Sequence, residues 1–84
     1  MKKKVVREIY ATICQWAESE TRLYNRGIIP FEDYLEEQAN TIRNAREALY
    51  IEQEAGRITE EEAHTIAERF KAFVKKEIKN ACKA

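Results

Sequence analysis

Asn25-Arg26-Gly27-Ile28-Ile29-Pro30-Phe31-Glu32-Asp33 and Glu54-Ala55-Gly56-Arg57-Ile58-Thr59-Glu60-Glu61-Glu62 are the stretches whose reading decides the fold. Each stops one helix and starts the next. A glycine supplies the left-handed residue just past a helix end, and an isoleucine gives the apolar contact that accompanies such a cap. Pro30 or Thr59 then opens the following helix, with carboxylates in its first turn to complement the helix dipole. Thr59 and Glu62 have capping-box spacing, in which hydroxyl and carboxylate each satisfy an otherwise unpaired amide. Two joints make three helices, expected over residues 3–26, 31–55 and 60–81 of a single helical domain, 1–84.

Apolar periodicity outward from the joints agrees. Val5, Val6, Ile9, Tyr10, Ile13, Trp16, Ala17, Leu23 and Tyr24 share one side of the first helix. Phe31, Tyr34, Leu35, Ala39, Ile42, Ala45 and Leu49 do so on the second, and Ala63, Ile66, Ala67, Phe70, Phe73, Val74 and Ile78 on the third. Three one-sided helices must share one core, so the expected fold is all-α, an antiparallel up-down-up three-helix bundle. Charge placement supports that order: the acidic start of helix two (Glu32, Asp33, Glu36, Glu37) would meet the basic end of helix three (Lys71, Lys75, Lys76, Lys79, Lys83). The basic start of helix one, Lys2 to Arg7, would fall beside Glu60, Glu61 and Glu62.

Composition narrows the function classes. The 84 residues carry 15 basic and 15 acidic side chains, so no net field draws the chain to nucleic acid or an anionic membrane. Charged residues make up 36% and apolar ones 44%, with one proline and two glycines, which suits an amphipathic bundle and argues against disorder. Arg7 and Glu8 interrupt the apolar run after Met1-Lys2-Lys3-Lys4, against a secretory signal. The longest uncharged run, Ile9 to Ala17, is about nine residues where a membrane span needs roughly twenty. A cytoplasmic protein is expected, bacterial or phage-encoded by its Lys/Glu/Ile-rich composition. Cys14 and Cys82, separated by about 14 Å of helix rise in such a bundle, are expected as free thiols.

The string Gly56-x-Ile58-Thr59-x-Glu61-Glu62 resembles the joint of bacterial helical modules of the short C-terminal domain type. The resemblance implies a helical unit given to oligomerisation or protein contact. It covers under a tenth of the chain and sits mid-chain, whereas those modules usually end a longer protein.

Three polar residues interrupt the stripes: Glu20, Gln38 and Glu77. Folding about the joints brings them to one layer. Closed, the layer would raise the carboxyl pKa values or require a cation; open, it marks a notch where a partner docks; near the bundle end, its carboxylates reach water or a lysine such as Lys75. Metal is not expected, since the Glu61-x-x-His64 spacing occurs once and points away from the core, where carboxylate-bridged centres want inward pairs. His64 is then a solvated surface residue. With one histidine on an outer face, no nucleophile can be oriented, and no glycine-rich phosphate loop or zinc spacing exists. Neither an enzyme nor a cofactor is expected.

Partner binding remains. Ala48, Tyr50 and Ile51 form a second apolar group on helix two that does not share a core with Leu49. Together with Glu20, Gln38 and Glu77 they are the candidate contacts of a small non-enzymatic interaction protein, a regulator or inhibitor of another protein. The alternative is a nucleic-acid accessory protein using Arg43, Asn44, Arg69 and Lys76. A homodimer with swapped helices would share the same stripes.

Overall fold

The computed structural model describes residues 3–82. It contains α1 (Lys4–Asn25), α2 (Phe31–Glu54) and α3 (Glu60–Cys82), each packed against both others in an antiparallel three-helix bundle. Helices of 22, 24 and 23 residues are each about 35 Å long, which accounts for the 40 Å long axis of a 40 × 20 × 15 Å molecule.

Both joints close as the glycines require. Gly27 and Gly56 have φ of 74° and 78°. At the first joint the amides of Gly27 and Ile28 donate to the carbonyls of Tyr24 and Leu23 at 2.9 and 3.0 Å. At the second, Gly56 and Arg57 donate to Gln53 and Glu52 at 3.0 and 3.1 Å, so both ends are Schellman caps. The isoleucines behave differently from one another. Ile28, expected as an apolar cap contact, is 61% exposed, and Ile29 is half-buried instead. At the second joint the cap position belongs to Arg57, which pairs with Glu52, while Ile58 one step on is buried.

Thr59 and Glu62 form the capping box. The Glu62 amide donates to Thr59 Oγ1 at 3.1 Å, and the Thr59 amide donates to Glu62 Oε1 at 2.8 Å. That backbone bond, aided by Lys3 Nζ at 3.2 Å, holds the Glu62 carboxyl below its ordinary pKa. Lys3–Glu62 realises the expected meeting of the basic start with the acidic start of α3. The second expected match does not form: among the described residues, the carboxylates opening α2 make no ion pair with the lysines closing α3, and Lys83 lies outside that range. Lys71 pairs with Glu68 of its own helix, and the other side chains are exposed, where a pair gains little over hydration.

The core gathers Val6, Ile13, Cys14 and Ala17 of α1, Ala45 and Leu49 of α2, Ile58, and Ala63, Ile66, Phe70 and Val74 of α3. At the first joint Tyr24, Phe31 and Tyr34 pack ring on ring, Tyr24 and Tyr34 stacked with centroids 5.0 Å apart. The stripe of α2 departs from expectation. Leu35 is 39% exposed and Ala39 is also exposed, whereas Gln38 and Thr41 are buried. The buried face is thus turned roughly 40° toward α1 from the centre of its apolar residues. Polar side chains can take those inward places because the bundle supplies partners: Gln38 Nε2 donates to the Ala17 carbonyl of α1 at 3.0 Å. Trp16, expected in the core, is 39% exposed at the α1–α2 boundary. Cys14 is buried and Cys82 exposed, both as free thiols.

Candidate functional site

The polar layer keeps two of its three expected residues. Gln38 is 1% exposed and Glu77 half-buried, but Thr21 joins them in place of Glu20. Thr21 Oγ1 lies 3.0 Å from Glu77 Oε1, 2.9 Å from Tyr34 Oη and 3.2 Å from the Ala17 carbonyl. A hydroxyl has one proton, and a carboxylate is the strongest acceptor of the three. The network therefore runs Tyr34 O–H to Thr21 to Glu77, joining all three helices. Gln38 Oε1 is buried beside it without a hydrogen-bond partner. Tyr34 and Gln38 are fully buried in this layer, while Thr21 and Glu77 are half-buried at its edge.

Glu20 points elsewhere. One residue before Thr21, it is turned about 100° around α1, toward α2, where it lines an open hollow with Trp16, Ser19, Glu37, Asn40, Thr41 and Asn44. Partial burial, then the negative charge of Glu37, raises its carboxyl pKa.

A second hollow, of about 410 Å³, is lined by Trp16 together with Val5, Ile9, Thr12, Ile13 and Ala48 and edged by Glu8, Glu52 and Arg57. The two lie along the α1–α2 boundary and share Trp16, a groove in two parts. On α1 its floor follows Val5, Ile9, Thr12, Trp16 and Ser19, alternating steps of four and three. On α2, Glu37, Thr41, Asn44, Ala48, Ile51 and Ala55 repeat the same steps. Of these positions Val5, Ile9 and Trp16 on α1 and Ala48 on α2 are apolar lining residues, while Thr12, Ser19, Glu37, Thr41 and Asn44 make the rest of the lining polar. One stripe per helix assigns Val5, Ile9 and Trp16 to the core, whereas the structure leaves them at its edge, Val5 and Ile9 half-buried and Trp16 39% exposed, and brings Thr12 in beside them.

The patch expected on α2 divides. Ala48 lines the groove and Ile51, 61% exposed, stands about 60° from it on the outer lip. Tyr50, 63% exposed, lies across α2 against α3, with Arg46, Gln53 and His64. The candidate nucleic-acid residues do not gather either. Asn44 lines the groove, and Arg43 donates to Asn40 beside it. Arg69 of α3 stands by the opposite flank of α1, close enough to Tyr10 to oppose the rise that burial causes in that phenol's pKa, and Lys76 is an exposed residue of α3 two turns further on. His64 is exposed.

Among the described residues, no helix is long and apolar enough to cross a membrane. Comparison with family models, curated proteins and solved structures returns no match to the chain.

Proposed function

We propose that the protein is a small, non-catalytic cytosolic module, a regulator or inhibitor, that binds another protein along the α1–α2 groove. The observation that carries this reading is the incompletely covered apolar row on α1. Val5 and Ile9 are half-buried and Trp16 is 39% exposed, so a row of large apolar side chains is left incompletely covered by the bundle's own packing. A large apolar residue exposed singly is ordinary, whereas a row in helical register flanked by charged edges is the form a helix-binding groove takes. The resemblance of the second joint to contact-making helical modules points the same way. Nucleic-acid binding is the weaker reading, because Arg43 and Asn44 stand apart from Arg69 and carboxylates flank both sets.

A photo-crosslinking amino acid at Thr12, exposed on the groove floor, tests this in the native cell. One defined protein adduct is expected from position 12 and none from the same group at Lys76. Adducts from position 76 alone, or an identical ladder from both, would remove the groove from the function.

A further inference from the structure

We propose that the groove's occupant is a single amphipathic helix of another protein, apolar where it meets Val5, Ile9, Trp16 and Ala48 and carrying lysine or arginine where it passes Glu20 and Glu37. This rests on the groove being the binding surface and adds the chemistry and number of its partner.

Length and register set the shape. From Val5 to Glu20 the groove follows α1 for about 22 Å, four helical turns, between two roughly parallel-sided helical walls. A helix laid between them completes a four-helix arrangement of the common bundle type.

Charge sets the chemistry. The floor is apolar on one side of Trp16 and polar on the other, where Glu20 and Glu37 line the same hollow. Among the described residues neither carboxylate makes an ion pair. Arg22 and Arg43, on the same stretch, donate to Ser19 and Asn40 instead. The molecule therefore holds two like charges together where a partner's cation would relieve their repulsion. At the apolar end the charges are already answered, Glu52 by Arg57 and Glu8 by Lys4. The demand for a cation is confined to one end.

A second copy of this chain seated over the full length of the groove, Trp16 on Trp16, meets a conflict in either symmetric arrangement. A two-fold axis across the groove would lay the apolar half of one copy on the polar half of the other, facing Val5 and Ile9 with Ser19 and Glu20. A two-fold axis along the groove would bring Glu20 and Glu37 of both copies together, four carboxylates in one place. A partner with an apolar half and a basic half meets neither conflict.

The test uses the whole protein and two tryptophan-free helical peptides of about sixteen residues, four to five turns, each made in both chain directions. Both carry leucines at heptad positions over one half; one has lysines and its twin glutamates on the same face of the other half. Trp16, the chain's one tryptophan, reports occupancy directly. The lysine peptide should give a saturable blue shift and bind about tenfold tighter than its twin, the effect of two ion pairs at partial exposure. Added salt should erase the difference, and Glu20→Lys with Glu37→Lys should reverse the order of the peptides. The salt titration on the unaltered protein stands even if that double variant fails to fold. Equal binding of both peptides overturns the basic-partner assignment while leaving the groove in use. No shift with either peptide, alongside a position-12 adduct, overturns a helical occupant of this kind; no shift and no adduct overturn the groove itself. Concentration-dependent dimerisation that blue-shifts Trp16 makes the occupant a second copy and also sinks the proposal.

Discussion

At the scale of single residues, Glu20 shows how position on a helix surface decides what a carboxylate does. A helical wheel marks it as a polar residue in an apolar stripe but cannot separate it from Thr21, and the adjacent residue takes the inward place because its short hydroxyl can bridge Tyr34 and Glu77. Glu20 is left partly buried against Glu37 with its pKa raised. A folded-state pKa above the unfolded value means that the folded chain holds the proton more tightly, so this group's favourable contribution is present below the ordinary glutamate range and is lost as pH rises through the raised value. Glu20→Gln removes the charge while keeping the shape. The variant should melt higher than the parent at pH 7, and the two melting curves should converge once acid neutralises Glu20 in the parent. Unchanged melting at pH 7, or a gain that persists at low pH, would mean that desolvation and Glu37 do not burden this carboxylate. The same variant should bind the lysine peptide more weakly, as expected where a group is kept for recognition at some cost to stability.

At the scale of the elements, the joints are the most legible part of the chain, because the residue types at a helix end answer to local backbone geometry alone. The two caps and the Thr59–Glu62 box form where Gly27, Gly56 and the acidic first turns require them. The rotation of α2 is not legible in the same way. Its apolar residues centre near Leu35 and Ile42, yet Leu35 and Ala39 face outward and Thr41 inward beside the expected Gln38, because the helix must serve two neighbours at once and one hydrogen bond, to the Ala17 carbonyl of α1, offsets part of the burial of the glutamine amide. The caps also give a clean test. A β-carbon at Gly56 would meet no heavy atom within 4 Å, so Gly56→Ala carries only the strain of a left-handed backbone, about 1–2 kcal/mol. Gly27, with the same open surroundings, joins the other pair of helices. Denaturant titration of Gly27→Ala, Gly56→Ala and the pair should show nearly additive losses. A loss well below 1 kcal/mol for either would mean that the joint relaxes into another turn.

At the scale of the molecule, the chain has a fully buried core and, at its α1 edge, an apolar row of Val5, Ile9 and Trp16 that the bundle covers only in part. The core is concentrated in residues such as Phe70, Ile66, Ile13 and Tyr34, each at 1% exposure or less and contributed by all three helices. A domain of this length has on the order of 4–12 kcal/mol to lose, and Phe70→Ala removes about 3–5 kcal/mol of packing, so that variant should melt about 15–30 °C lower by circular dichroism. Ile51 lies on the outer lip of the groove at 61% exposure. Ile51→Asp should therefore shift the unfolding midpoint by no more than about 0.5 kcal/mol equivalent, the usual range for a surface substitution, while placing a carboxylate beside the apolar half of the groove and weakening the lysine peptide. The contrast matters more than either value, because a fold held together by a single stripe would spend every large apolar side chain on stability. A stable Ile51→Asp protein with undiminished peptide affinity would show that the occupant does not reach the outer lip, confining it to the floor between Ile9 and Trp16. An unfolded one would mean that the outer lip belongs to the core after all, and the groove would then be a seam of the bundle without a surface to offer.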